Sequence, residues 1–130
     1  MSETEPDILE HVSSSDFEST IGRIADAIAG AGLTLFARID HAAGARNVGM
    51  EMLPATVLIY GNAKGGTPIM LAAPQAALDL PLRVLVRQRE DGHTAIAYHP
   101  VAPMLRRAGV ATELATRLEP AQRLLIKAIT

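Results

Sequence analysis

An apolar segment and a glycine-rich segment follow one another in ATVLIYGNAKGGTP, residues 55–68. The apolar part is short and rich in β-branched residues, which is typical of a strand. Its unbroken apolar character predicts cover on both faces of the sheet. The glycines lead to Thr67 and Pro68, a pair that is typical of a helix N-cap followed by its first helical residue. A glycine-rich turn placed between a strand and a helix brings backbone N–H groups together around an anion.

Upstream of this segment, the patterns predict a strand, a helix and a second strand. The strands are expected over 7–12 and 33–39, where side chains that alternate in polarity indicate a half-buried sheet. Ser15 and Glu18 have the spacing of a capping box, in which each side chain satisfies a free N–H of the other residue. The helix that follows carries one apolar stripe, formed by Phe17, Ile21, Ile24 and Ile28.

Downstream, two more strands and a helical tail are predicted. The strands are expected over 82–89 and 93–99, joined by Asp91 and Gly92 in a type I′ turn. The tail forms a short helix over 101–107 and a final helix that contains Leu124, Leu125 and Ile129. The fold class is therefore α+β, with a mostly antiparallel sheet and helices on one face, in a single domain over 1–130.

Composition excludes several classes of function. Hydrophobic residues make up 48% of the 130 residues, aromatic residues only 3%, and the net charge is −2. Nucleic acids need a basic surface or stacking aromatic rings, so we expect no nucleic-acid partner. The chain has no cysteine, no apolar run as long as a membrane span and no basic or apolar leader at its start. We therefore expect a cytoplasmic protein that associates with no membrane.

Five short motifs occur in a fixed order along the chain. They are IDHAAGA (39–45), LPAT (53–56), YGN (60–62), GTPIM (66–70) and LDLPL (78–82). With them, the chain resembles the bacterial family catalogued as domain of unknown function 302. The resemblance implies a β-α-β(4)-α fold like the half-repeat of the TATA-binding protein, in which a curved antiparallel sheet wraps a long C-terminal helix. It implies no reaction, and a shared fold does not imply DNA binding.

The glycine-rich segment is the first candidate site. Lys64 precedes the two glycines and Thr67 follows them, so the order of a phosphate-binding P-loop is not met. Free N–H groups of Gly65, Gly66 and Thr67 remain able to bind a small anionic metabolite. The alternative is a tight turn that uses glycine at positive φ and Thr67 as a helix cap. Both interpretations stay open at this point.

Asp40 and His41 are the second candidate site. An acid beside an imidazole is a source of acid–base catalysis, but consecutive residues at a helix start do not face each other. Asp40 is also well placed to cap a short alanine-rich helix. The histidines at 11, 41, 93 and 99 have no metal-binding spacing, so we expect no metal and no cofactor.

Three hypotheses of function follow. The first is a non-enzymatic domain that binds a small ligand in a pocket near both loops, with polar contacts from Asp40, His41, Asn62, Lys64, Gly65, Gly66, Thr67 and Asp79. The second is a small hydrolase or isomerase that uses His41 with Asp40 or Asp79. The third is a protein-interaction module without a pocket. A homodimer is expected because it covers a sheet edge, and a stripe of Arg83, Arg87 and Arg89, with Arg38 beside it, is either a binding surface or a solvated face.

Overall fold

The computed structural model describes residues 6–130, so the acidic start of the chain, residues 1–5, lies outside the described part. These residues form five strands and six α-helices. The strands are β1 Leu9–Val12, β2 Thr34–Asp40, β3 Ala55–Gly61, β4 Leu82–Gln88 and β5 Thr94–Tyr98. The helices are α1 Phe17–Gly30, α2 His41–Asn47, α3 Ala63–Ala72, α4 Val101–Arg107, α5 Thr112–Ala115 and α6 Glu119–Ile129. Two 3-10 helices, Pro74–Asp79 and Thr116–Leu118, precede β4 and α6.

The five strands form one sheet in the order β1-β5-β4-β3-β2, and every neighbouring pair is antiparallel. Strand, helix, four strands and a C-terminal helix therefore follow one another, with short helices inserted between them. The predicted α+β class and β-α-β(4)-α order are confirmed. The C-terminal helix α6 has 11 residues and packs beside α1, which has 14.

The core lies between one face of the sheet and the helices. Leu58, Val84 and Ile96 point to this face from the three central strands and are fully buried. They meet apolar residues of the helices, including Ile24, Ile28, Leu105, Leu125 and Ile129. On the other face of β3, Val57 and Ile59 are only half-buried. The expectation of cover on both faces is therefore wrong, because an antiparallel sheet sends alternate side chains to a face that no helix has to cover.

Helix α1 starts at a different cap from the one predicted. Asp16 accepts a hydrogen bond from the backbone N–H of Ser19 at 2.8 Å, and this bond lowers the pKa of the Asp16 carboxyl. Ser15 is not the cap, and its own N–H donates to the Ser13 hydroxyl oxygen at 3.2 Å. The predicted capping box is thus wrong by one residue. The predicted apolar stripe is confirmed, since Ile21, Ile24 and Ile28 are buried and Phe17 packs at its edge.

The predicted hairpin between β4 and β5 is confirmed, but its turn differs. The N–H of Arg89 donates to the carbonyl of His93, and the N–H of Gly92 donates to the carbonyl of Arg89. Gly92 has a φ of 87°, whereas no non-glycine residue in the described part of the chain has a positive φ. A type I′ turn needs positive φ at Asp91 as well, so the connection is a three-residue loop that ends in a left-handed glycine.

Strand β2 contains a β-bulge at Phe36, which has no partner between the pairs Leu35–Tyr60 and Ala37–Ile59. The extra residue reverses the faces of the residues that follow, because side chains alternate with a period of two. Arg38 is therefore opposite Leu58, on the helix side of the sheet. Without the bulge it would share the face of Arg83, as the sequence predicted.

The arginines of the predicted stripe differ in their interactions. Arg83 and Arg87 both lie on the open face of the sheet, opposite Ile59 and Ala55 of β3. Arg87 forms an ion pair with Glu10 at 3.0 Å, and Arg89, beyond the end of β4, pairs with Asp91 at 2.8 Å. Arg83 makes no ion pair within residues 6–130. The stripe is therefore not one continuous cationic surface.

Candidate functional site

The glycine-rich segment after β3 is helical. Asn62 is the N-cap of α3, and residues 63–72 form the helix, with Pro68 inside it. The prediction that Thr67 caps a helix beginning at Pro68 is therefore wrong. A proline in the second turn removes one backbone donor, which a helix tolerates more readily close to its start than in its middle.

The N–H groups expected to bind an anion are already satisfied. Gly65 donates its N–H to the Asn62 side-chain oxygen at 2.7 Å, and Gly66 donates to the Asn62 carbonyl at 3.0 Å. Neither glycine has a positive φ. Gly65 and Gly66 therefore offer no free N–H group to an anion and do not supply the positive φ of the predicted turn, and the helix cap lies five residues upstream of the predicted one.

A cavity of about 260 Å³ opens beside α3 at this end of the sheet. Three of the eight predicted site residues line it, namely Asn62, Gly66 and Thr67. The other lining residues are Leu33, Phe36, Gly61, Ala63, Met70, Leu80, Pro81, Leu82, Leu118 and Ala121. Every side chain in this lining is uncharged. We call this space the apolar cavity.

One face of α3 forms a wall of the apolar cavity. Ala63, Gly66, Thr67 and Met70 line it and are spaced by three, one and three residues. Residues at i, i+3, i+4 and i+7 lie along the same side of an α-helix. Lys64 and Gly65 belong to other sides of the helix, which explains why they are absent from the lining. The predicted role of these two residues in the pocket therefore has no geometric support.

The remaining walls come from parts of the chain that are distant in sequence. The bulge in β2 contributes Phe36, which is 53% exposed and lies in the lining of the cavity. A β-bulge re-aims a side chain in this way, and bulges are common beside binding sites. Leu80 and Pro81 come from the segment that enters β4, and Leu118 and Ala121 come from the start of α6.

Tyr60 fixes the wall that α6 provides. Its ring is fully buried, and its hydroxyl donates a hydrogen bond of 2.7 Å to the carbonyl of Ala121. Burial, followed by repulsion from Tyr98, raises the pKa of the Tyr60 phenol well above its usual range. Tyr60 therefore stays protonated and keeps this donor at neutral pH. The bond ties α6 to the residue directly before Gly61.

The Asp40–His41 pair lies at the opposite end of the sheet. Asp40 is opposite Thr56, at the start of β3, whereas Asn62 follows the end of that strand. Asn62 is six positions after Thr56, which is roughly 20 Å in an extended strand. The pocket predicted between the two loops is therefore not formed. Asp40 instead caps α2, accepting the N–H of Ala43 at 2.9 Å, and His41 is exposed.

Asp79 is at the end of the first 3-10 helix and lines other cavities, described below. It lies three residues before Leu82, which is opposite Tyr60, whereas Asp40 is opposite Thr56. Thr56 and Tyr60 are four residues apart along β3, which is roughly 13 Å in an extended strand. His41 and Asp79 therefore do not form the acid–base unit of the hydrolase hypothesis, and one carboxylate oxygen of Asp40 is occupied by the helix cap.

The described residues contain no group of three His, Cys, Asp or Glu side chains that could hold a metal ion. Within the same residues, 6–130, no helix combines the length and the apolar character required to cross a membrane. The expected homodimer and the cytoplasmic location stay predictions.

Sequence reasoning missed most of the apolar lining of the cavity. Phe36, Leu118 and Ala121 come from elements that only the tertiary fold brings together. The spacing of Ala63, Gly66, Thr67 and Met70 was a usable signal, since it marks one face of a helix. It was hidden by the two glycines, which are poor helix formers and indicate a loop.

Curated relatives share part of their length with this chain. The proteins named fluoride-specific ion channel FluC 1 from Brucella suis biovar 1 and from Brucella abortus biovar 1 are each 31% identical to it over 100 residues. The protein named fluoride-specific ion channel FluC 2 from Brucella melitensis biotype 1 has the same identity over the same length. The match covers 75% of this chain but only 37% to 39% of the relatives. The chain thus spans well under half of their length.

A solved structure has the same fold. The crystal structure of an uncharacterized conserved DUF302 protein from Bacillus stearothermophilus superposes with a TM-score of 0.81, covering 95% of each chain at 14% sequence identity. The family described as domain of unknown function DUF302 matches residues 9–130. This match includes every strand and helix described above. The chain therefore belongs to the DUF302 family.

Proposed function

We propose that this chain is a non-enzymatic domain that binds a small, uncharged and mostly apolar molecule in the apolar cavity. The observation that carries the proposal is the lining itself, which combines apolar side chains from four elements with the polar side chains of Asn62 and Thr67. Small-molecule sites typically have this character, with few polar groups that orient the ligand. An anionic metabolite does not suit the cavity, because a desolvated carboxylate needs a cationic partner.

The size of the cavity limits the ligand. Its volume of about 260 Å³ lies below the range of roughly 300–1,000 Å³ that is usual for drug-sized ligands. A dry apolar cavity of about 150 Å³ can hold benzene. If the number of non-hydrogen atoms scales with volume from this benzene example, a ligand of about ten non-hydrogen atoms fits the cavity.

Two polar groups are available to orient such a ligand. The Thr67 hydroxyl makes no hydrogen bond to another residue of the described chain, and Asn62 uses only its side-chain oxygen, for the N–H of Gly65. The Asn62 amide group and the Thr67 hydroxyl can therefore bond to one hydroxyl or carbonyl of the ligand. A polar group bonded in this way discriminates against ligands that lack it.

Isothermal titration calorimetry with 1-octanol and octanoate tests the proposal. These probes have the same chain but differ in charge, so we expect octanol to bind at least tenfold more tightly. Octanoate binding as tightly as octanol, or no binding of octanol at its solubility limit, contradicts the proposal.

Gly66→Leu is the variant that fills the cavity. A Cβ at position 66 meets Leu80 and Met70 at 3.8 Å, an ordinary contact, so the longer leucine side chain enters the space beyond. The matched control is Gly44→Leu in α2, where a Cβ has nothing within 4 Å. Both substitutions replace a helical glycine by a better helix former. We expect octanol binding to be lost in Gly66→Leu and kept in Gly44→Leu.

We propose a second candidate function, association with a fluoride channel. Its support is the 31% identity to 100 residues of longer proteins that are named as fluoride channels. In this proposal the chain serves the role that the matching portion has in those relatives. Fluoride efflux from vesicles that contain a purified channel should change when this chain is added. Unchanged efflux, with no co-purification of the two proteins in detergent, excludes it.

A further inference from the structure

A second concave region lies beside the segment that enters β4. Two adjoining cavities of about 240 and 400 Å³ share Asp79, His99 and Met104 in their linings. Arg83 lines the smaller cavity and Arg107 lines the larger. We call these two cavities together the charged groove. We propose that the charged groove binds a small dicarboxylate that carries a hydroxyl or amino group between its carboxylates.

The two arginines are available for a ligand. Arg83 makes no hydrogen bond or ion pair with any other described residue. Arg107 approaches only Asp7, at 4.0 Å, and both of these side chains are largely exposed. An exposed ion pair at this distance contributes little and is easily exchanged. Each guanidinium can therefore form a bidentate pair with a carboxylate, the strongest common mode of carboxylate binding.

The middle of the charged groove provides groups that select for a hydrogen-bond donor. Asp79 forms no hydrogen bond or ion pair within residues 6–130, so its carboxylate is free to accept one. His99 uses Nδ1 in a contact of 2.6 Å with the carbonyl of Asp7. A carbonyl only accepts, so Nδ1 carries the hydrogen, and Nε2 of the neutral ring is left as an acceptor. Two acceptors between two cations match a hydroxyl or ammonium between two carboxylates.

The backbone that carries His99 is held in place. Gln122 of α6 is 7% exposed, donates from its side-chain nitrogen to the His99 carbonyl at 2.8 Å, and accepts the N–H of Val101 at 2.9 Å. Both polar ends of Gln122 are therefore occupied, and its role is to fix the junction between β5 and α4. A site whose supporting groups are already bonded pays little to become ordered on binding.

The test is calorimetry of the full chain with malate, succinate and lactate. Malate has two carboxylates and a hydroxyl, succinate lacks the hydroxyl, and lactate lacks one carboxylate. We expect malate to bind at least tenfold more tightly than either of the others. No binding of malate at 10 mM, or equal binding of all three acids, overturns the proposal.

Substitutions locate the binding. Arg83→Gln and Arg107→Gln should each weaken malate binding at least tenfold, whereas Arg23→Gln, an exposed arginine of α1 that lines neither cavity, controls for net charge. Asp79→Asn should strengthen succinate binding and reduce the preference for malate. Malate binding that survives both groove variants contradicts the proposal. Gly66→Leu should leave malate binding unchanged, so this site and the apolar cavity can fail independently.

Discussion

The two ends of β3 are built from the same local chemistry but differ in what surrounds them. Asp40 at one end and Asn62 at the other each cap a short helix of small residues, with side-chain bonds of 2.9 and 2.7 Å to the third helical N–H. The Asn62 end opens on a cavity lined by elements that are distant in sequence. The concave surface beside α2, in contrast, is lined by Arg46 and by Glu51, Met52 and Leu53 of the adjoining loop. The comparison shows that a capped helix after a strand does not by itself make a site.

The difference arises from distant parts of the chain. At the Asn62 end, Leu80 and Pro81 come from the entry to β4, and Leu118 and Ala121 come from the start of α6. At the Asp40 end, Ala42 of α2 is buried, but Val48, directly after the helix, is 71% exposed. Walls contributed by elements separated in sequence therefore turn one helix start into a cavity and leave the other as a surface turn.

Among the substitutions that distinguish the two ends of β3, Tyr60→Phe is expected to have the largest effect on stability. The substitution removes the hydroxyl that ties the cavity end of β3 to α6 and leaves the Ala121 carbonyl without this donor. An unmade hydrogen bond at a buried group costs about 1–3 kcal/mol, and we expect unfolding in urea to show a loss in that range. Octanol binding should weaken as well, because the Ala121 wall is loosened. A fully stable variant with unchanged binding would show that the tie does not shape the cavity.

The pH dependence of stability provides a second measurement on the same residue. Because the pKa of Tyr60 is raised on folding, the folded state holds a proton that the unfolded state releases above about pH 10. The stabilisation that the Tyr60 phenol contributes is therefore fully present below pH 10 and decreases as the pH rises further. The melting temperature of Tyr60→Phe should fall less between pH 9 and 11 than that of the unchanged chain. An identical alkaline decrease in both would assign it to groups other than Tyr60, such as Tyr98, the second of the two tyrosines.

Elements with a clear periodicity of apolar residues could be predicted from the sequence. Elements whose ends depend on competing capping and turn signals could not. The predicted stripe of Ile21, Ile24 and Ile28 is buried, and buried residues alternate with more exposed ones along β4. The start of α3 was missed because two glycines and Thr67-Pro68 favour a loop and a later cap. In the structure, the Asn62 cap and the burial of Ile69 in the core outweigh these propensities.

The candidate site was predicted only in part, for a geometric reason. Asn62, Gly66 and Thr67 are close in sequence and were predicted together, whereas Asp40 and His41 were joined to them because they also follow a strand. In an antiparallel sheet, consecutive strands run in opposite directions and finish at opposite ends of the sheet. Residues that follow β2 are therefore far from residues that follow β3. The antiparallel order was itself predicted, so this separation could have been inferred from the sequence.

A smaller effect is expected from removing each helix cap. Asn62→Ala and Asp40→Ala each delete one side-chain bond to a helical N–H, which typically costs about 1 kcal/mol. We expect similar losses of stability in urea unfolding. Only Asn62→Ala should also weaken octanol binding, since Asp40 lines no part of the apolar cavity. Weakened binding in both variants would contradict the separation of the two ends.

The smallest effect is expected from His41→Ala. His41 is exposed at the start of α2, and no hydrogen bond or ion pair joins it to another residue of the described chain. Exposed substitutions away from caps and packing change stability by about 0.5 kcal/mol or less. Octanol binding should equal that of the unchanged chain, because His41 lies roughly 20 Å from Asn62 along β3.

Lys64→Ala is the matched test at the cavity end, since Lys64 belongs to α3 but not to the face that lines the apolar cavity. If either variant abolishes binding while keeping its melting temperature, polar residues outside the lining reach the ligand, and the apolar character of the site must be abandoned.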